Sequence, residues 1–344
     1  MRDTDRVSRS KVFVLLVIVA IIGVALLALG LRHRLRCAGF PGPGVAADEL
    51  PAASPDGELR FVTFNIRNFP LDERLEAPAL GFSRRTNICD LETVLNGLDA
   101  QVLGFSEICD TRRFPPILRQ SGGGRPMWLR FSQDGGRGGQ HVAIAWDGTA
   151  VELVEEPVEV TEVVVKPGLR PALAVRLRSR VVPEFDFTVV QVHLDSGPDD
   201  YEFRLQQVRR LADWLRAWVA RTGDPDLVVQ GDFNTMGSRE LGPERELLEV
   251  DAILAAVGLS RVVNATGCTE YWEGPGEPDG VHRPSLLDLV YVAGLEPRGP
   301  ARSWLHCQRL GCGELISRPG EEDGTFFDVS DHCPVTFEIR LGEG

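Results

Sequence analysis

β-branched and aromatic runs of strand length recur from residue 59 onward, over 59–67, 100–106, 141–147, 151–165, 170–179, 185–194, 226–231, 286–292 and 334–341. Such runs, bounded by Gly, Pro and small polar residues, predict strands. Apolar positions three and four apart predict helices over 86–98, 200–221 and 243–257. In the second of these, Leu205, Val208, Leu211, Leu215 and Trp218 form one stripe, and Gly223 supplies the stop. The stretches 121–126 and 134–139 read as turns or loops, and 270–284 as a longer loop rich in Gly, Pro and acids. Strands and helices interspersed in this way place the chain in the mixed α/β class.

The N-terminal pattern is different. Residues 12–31 form an uncharged apolar run of 20 residues. That length spans a bilayer core and exceeds the apolar region of a cleaved signal peptide. The expected organisation is a basic tail over 1–11, a transmembrane signal anchor over 12–31, a Gly/Pro/Ala linker over 32–58 and a catalytic-sized domain over 59–344. Arg2, Arg6, Arg9 and Lys11 precede the run and Arg32, Arg34 and Arg36 follow it, so the positive-inside rule gives no orientation. Beyond Cys37 the chain holds Cys89, Cys109, Cys268, Cys307, Cys312 and Cys333. An even number suits disulfides and an extracytoplasmic domain, against the alternative of free buried thiols. Cys307 and Cys312 are near enough in sequence to pair, and Cys268 and Cys333 flank the same edge.

Charge narrows the partners. Residues 59–344 carry 30 Lys/Arg against 44 Asp/Glu. That balance argues against broad binding to nucleic acid, which depends on basic contacts to phosphates. It does not exclude a small anionic substrate, because a bound divalent cation dominates the field around it.

The candidate chemistry lies at strand ends. Residues 226–234 read Asp-Leu-Val-Val-Gln-Gly-Asp-Phe-Asn, which delivers Asp232 and Asn234 to the mouth of a buried strand. Ser330-Asp331-His332 enters the run 334–341. Asn65 ends one run, Glu107 another and His193 a third, while Asp288 is the one acid inside Leu286–Val292. An acid in such a run is costly to bury without a partner. Carboxylates, an amide and imidazoles gathered this way suit metal-assisted attack of water on a phosphate ester.

On these motifs, over roughly residues 59–342, the chain resembles the endonuclease/exonuclease/phosphatase superfamily, which includes deoxyribonucleases, abasic-site nucleases, sphingomyelinases and inositol-polyphosphate phosphatases. The resemblance implies a four-layer α/β/β/α sandwich: two packed mixed sheets flanked by helices. It implies Glu107 as a ligand of Mg²⁺, with Mn²⁺ as the alternative, and Asn65 beside it; Asp331 is a candidate ligand of a second ion. Asp232 and Asn234 are expected to orient water and the phosphoryl oxygens. His332 is expected as general base or charge stabiliser, held by Asp288. His193, where the abasic-site nucleases have a tyrosine, is expected to protonate the leaving oxygen. Arg204 and Gln207, one helical turn apart, are placed at the rear of the site, with Arg204 and Asn65 as phosphate-binding candidates. Trp272 and Tyr271 could stack on a substrate or anchor a loop. The expected activity is a phosphodiesterase of nuclease type acting as a monomer. The alternatives are a sphingomyelinase-like phospholipid phosphodiesterase, favoured by membrane tethering, and a non-catalytic binding domain.

Overall fold

The structure is a computed structural model that describes residues 45–54, 57–74, 83–273, 279–316 and 323–341. Along the chain come β1 (Glu58–Phe69), β2 (Asp72–Arg74), β3 (Ser83–Arg85), α1 (Ile88–Gly97), β4 (Val102–Ile108), α2 (Phe114–Ser121), β5 (Met127–Phe131) and β6 (His141–Asp147). Next are β7 (Val151–Leu153), β8 (Val158–Val160), β9 (Ala172–Ser179), β10 (Asp186–His193), α3 (Tyr201–Thr222), β11 (Leu227–Asp232), α4 (Pro243–Ala255) and β12 (Ser260–Arg261). The chain continues through β13 (Glu270–Trp272), β14 (Val281–Ser285), β15 (Asp288–Ala293), β16 (Arg302–Ser303), α5 (His306–Leu310), β17 (Leu315–Ile316), α6 (Gly324–Asp328) and β18 (Val335–Arg340).

Two mixed sheets carry the architecture, in the orders β16-β18-β1-β4-β6-β5 and β12-β15-β11-β10-β9-β7, with β8 also pairing β9. Side chains along a strand alternate between faces, and the burial follows that rule. Phe61, Val102, Val189, Val228 and Val292 share the core between the sheets. Their neighbours Val62 and Leu103 pack on α1 and α2, and Val190, Val229 and Tyr291 pack on α3 and α4. Four layers result, as the resemblance implied. The apolar stripe of α3 is buried as expected, and Gly223 closes the helix in the left-handed conformation at φ 72°.

The expected strand over 151–165 is broken. Pro157 has no backbone donor for a ladder, and the segment divides into β7, β8 and a short 3₁₀ turn at Thr161–Val163. Helix α2 was not among the expected helices; Pro115 and Pro116 lie in its first turn, where the backbone N–H groups have no intrahelical partner to lose.

One expectation is corrected outright. No helix among the described residues is long and apolar enough to cross a membrane. The run 12–31 lies outside those residues, and the described fold is the sandwich alone. The membrane anchor, the membrane as partner and the extracytoplasmic placement are withdrawn. The disulfides form in crossed pairs, Cys268–Cys312 and Cys307–Cys333. They tie the segment before β13, α5 and its following turn, and the start of β18 into a small cluster with Tyr271 and Phe326. Cys89 is also disulfide-bonded, and Cys109 is a free thiol.

Candidate active site

Across the gap between the sheets, side chains become more polar toward one end. In the second sheet, pairing aligns Val189 with Val228 and Val292, then Gln191 with Gln230 and Val290, then His193 with Asp232 and Asp288. In the first sheet the same face runs Phe61, Thr63, Asn65 on β1 beside Val102, Gly104, Ser106 on β4. The middle row is a buried polar bridge. Gln191 donates to the Thr63 and Ser106 hydroxyls at 3.2 Å each, and Gln230 donates to the Val62 carbonyl at 2.8 Å. Gly104 makes room for it: a Cβ there would lie 1.8 Å from Gln191 Oε1. The outer row is the candidate site.

Strand alternation alone would turn Glu107 away from this face. The left-handed backbone at Glu107 (φ 63°) turns it back, and Asn68 (φ 50°) donates its N–H to Glu107 Oε2 at 2.8 Å. Asn234 (φ 52°) is bent in the same way after β11. Such conformations cost on the order of 1–3 kcal/mol each and collect where geometry serves function. Here they aim a carboxylate and an amide into one cavity.

The contacts are close. Asn65 Nδ2 donates to Glu107 Oε1 at 3.1 Å and to Asp232 Oδ2 at 2.9 Å. His193 Nε2 lies 3.6 Å from both carboxylates. Asn234 N–H donates to Asp232 Oδ1 at 2.9 Å. His332 Nδ1 is 2.7 Å from Asp288 Oδ2, which leaves Nε2 facing Asp232 Oδ2 at 3.9 Å. The Thr269 hydroxyl receives the Asp288 N–H at 2.9 Å and fixes the start of β15. A cavity of about 150 Å³ opens between these groups.

Burial raises Asp232 to about 7; His332 opposes the rise, while Asp288 and Glu107 add to it. Burial disfavours charge on His332, yet Asp288, Asp232 and Asp331 outweigh it and hold the ring protonated well above its usual range. His193 moves the other way, pushed well down by burial, by Arg170 and by His332.

Two site residues were not found by reading the sequence. Arg170, buried just before β9, donates to Gln140 Oε1 at 2.6 Å and approaches His193 Nδ1 at 2.7 Å. Its only sequence signal is Leu169-Arg170-Pro171 at a strand start. Glu270 lines the cavity with Oε2 buried and without a hydrogen-bond partner. Burial lifts its carboxyl to about 8, with His332 opposing and Asp331, Asp232 and Asp288 adding. The signal was an acid next to aromatic residues at the head of the 270–284 loop.

Other expected residues stand elsewhere. Arg204 is fully buried, paired with Glu246 at 2.7 Å and donating to the Gly237 carbonyl at 2.8 Å and to the Gly197 carbonyl. It is therefore not free to bind phosphate; it braces the loops that follow His193 and Asn234. Gln207 assists by accepting the Asp195 N–H at 2.9 Å. Asn65 Oδ1 accepts the Arg67 N–H at 3.0 Å, so it is the amide's NH₂ that faces the carboxylates. Asp331 is half-buried and meets the Ser330 hydroxyl at 3.4 Å. Tyr271 is buried in the disulfide cluster, and Trp272 stands exposed at the cavity rim.

Among the described residues, Glu107, His193 and Asp232 present ligand atoms within 4.8 Å of one another, as do Asp232, Asp288 and His332. His306, Cys307 and Cys333 also come together, but both of these sulfurs are spent in a disulfide. The Glu107 and Asp232 carboxylates fit a divalent cation, with the neutral His193 ring beside them, whereas the charged His332 ring has no free lone pair to offer. A cation would relieve the burial and the neighbouring carboxylate charge that raise Asp232 and Glu270.

No protein-family profile and no curated protein matches the chain. Solved structures do. The human Nocturnin catalytic domain, solved with a bound sulfate anion, is 15% identical with a TM-score of 0.56, over 85% of this chain and 98% of that one. An endonuclease/exonuclease/phosphatase family protein from Bacteroides thetaiotaomicron is 15% identical with a TM-score of 0.54, over 83% of this chain and 99% of that one. A mannosyl-6-phosphatase from the same organism is 16% identical with a TM-score of 0.51, over 82% of this chain and 99% of that one. Identities this low speak to architecture, and by architecture the chain has the fold of the endonuclease/exonuclease/phosphatase family.

Proposed function

We propose that the protein is a metal-dependent phosphoric ester hydrolase, and a phosphodiesterase in particular. The observation that carries this reading is the convergence of Glu107, His193, Asp232 and His332 from separate strand ends on one cavity, with Asp288 behind His332. A structural neighbour described as a mannosyl-6-phosphatase supports phosphoester chemistry on this fold.

Glu107 and Asp232 would hold Mg²⁺ or Mn²⁺ beside His193. The ion, when bound, would neutralise phosphate charge and polarise a phosphoryl oxygen. The protein's own groups do the rest. Asn65 and the Asn234 backbone fix the two oxygens of Asp232, which then orients the attacking water. Asp288 holds the His332 ring, and its carboxylate neighbours keep that ring charged, so His332 serves as a stabiliser of developing negative charge. Arg170 places a second cation at the far wall. The lipid alternative rested on membrane tethering and loses that support.

The test is hydrolysis of bis-p-nitrophenyl phosphate by the full chain, with Mg²⁺ or with chelator. Turnover should require the metal, and His332→Ala should reduce it roughly 10²–10⁴-fold, the scale of a positioned catalytic group. Turnover unaffected by chelator would sink the reading.

A further inference from the structure

The site cavity holds a phosphate group and little more, at about 150 Å³. A second cavity of about 520 Å³ adjoins it, and Met236, Trp272 and Ser285 line both. That volume is in the range of small-molecule sites. Resting on the hydrolase reading above, we infer that this adjoining groove binds the organic group of the substrate, and that this group is a single uncharged apolar moiety, aromatic in the best case.

Three observations support this. First, the seam between the cavities is built. Met236 follows Asn234 by two residues, and its Sδ accepts the Gly197 N–H at 3.2 Å, which fixes the thioether at the boundary. Trp272 follows Glu270 by two residues on β13, so both project toward the same side, Glu270 into the phosphate cavity and Trp272 over the groove. Trp272 is 40% exposed, a large apolar ring left at the surface. Second, the walls are apolar. Leu247 of α4, Leu286, Pro243, Pro284 and the Cys268–Cys312 disulfide enclose the space. A thioether and an indole at the entrance favour a flat ring. Third, among the described residues no Lys or Arg lines the groove, and the one charged residue there is Glu244. A nucleic-acid strand would have to carry further phosphates past that acid without a basic contact.

The experiment uses phosphonates, which keep the anionic group but cannot be hydrolysed as esters. Methylphosphonate, phenylphosphonate and 1-naphthylmethylphosphonate are compared as competitive inhibitors of Mg²⁺-dependent bis-p-nitrophenyl phosphate hydrolysis, and by calorimetric titration into the Mg²⁺-loaded full chain. Affinity should rise along the series, with the naphthylmethyl compound at least about tenfold tighter than the methyl one, as burial of an apolar ring predicts. Trp272→Ala and Leu286→Gln should each compress that ratio severalfold, with near-UV circular dichroism confirming the fold. Equal affinity along the series, or a ratio that survives both variants, overturns the groove assignment. Tighter binding of a trimethylammonioethyl phosphonate than of its neutral 3,3-dimethylbutyl isostere overturns the uncharged occupant. Absence of hydrolysis would remove the hydrolase reading itself, while the calorimetric ratio still tests the groove.

Discussion

Arg170 changes what His193 can do. A guanidinium has no acceptor, so the imidazole nitrogen that meets it carries no proton. The contact is 2.7 Å at Nδ1 against 3.3 Å at Nε2, which makes His193 a neutral ring with its proton on Nε2, toward Glu107 and Asp232. A neutral ring is a hydrogen-bond donor, and a poor source of a proton for a leaving alkoxide. His193→Ala should lower turnover, and by the same factor on an activated nitrophenyl diester as on an unactivated alkyl diester. A variant nearly normal on the nitrophenyl diester and severely impaired on the alkyl one would restore the leaving-group acid expected from the motif.

At the scale of elements, the loops after β10 and β11 are held from behind by α3 and α4. Arg204 and Glu246 are both fully buried, and Glu246 Oε2 also accepts the Gly237 N–H at 2.7 Å. Arg204→Met would leave Glu246 buried and unpaired, at a cost of about 3–5 kcal/mol. Adding Glu246→Leu should recover part of the loss in urea unfolding; a single variant as stable as the parent would contradict the bracing role. The opposite end of β11 carries an unfavourable cluster. Burial raises Asp226 to about 6, and Asp224 and Asp186 add to the rise. The native state keeps this proton to about pH 6, whereas the unfolded chain releases it near 3.8. Its contribution to stability is thus complete below 3.8 and lost as pH rises through 6. Asp226→Asn should stabilise the protein at pH 8 by about 1 kcal/mol, discounted for the solvent-exposed part of the group, and by less at pH 4. A thermal-melt gain independent of pH would contradict this.

Asn65, Glu107, His193, Asp232, Asp288 and His332 were legible because each closes, interrupts or enters an apolar strand run, where a polar side chain stands out. Arg170 and Glu270 were not, since a lone charge at a strand start looks like a solvated one. The turn of Glu107 back onto the inter-sheet face depends on a left-handed residue that its sequence does not signal. Arg204 was assigned to the right region and the wrong task, because spacing places a residue on a helix face without revealing its partner. The cysteine pairing depends on how α5 and β18 meet, a tertiary fact. The membrane helix was read from a run that the described fold does not include.

At the scale of the whole molecule, two sheets close an apolar core that turns polar and then anionic toward one end, so folding itself concentrates negative charge where a cation can bind. The net charge of −13 makes this an acidic surface that a bound ion must locally reverse before a phosphate can approach. The central claim is that Glu107 and Asp232, beside His193, form a divalent-cation site. Calorimetric titration of Mg²⁺ into the full chain and its Glu107→Gln variant tests it most directly. The account predicts a saturable site in the parent protein and at least about tenfold weaker binding in the variant, because a neutral amide is a poorer ligand for a hard cation. Identical titrations for the two proteins would contradict it.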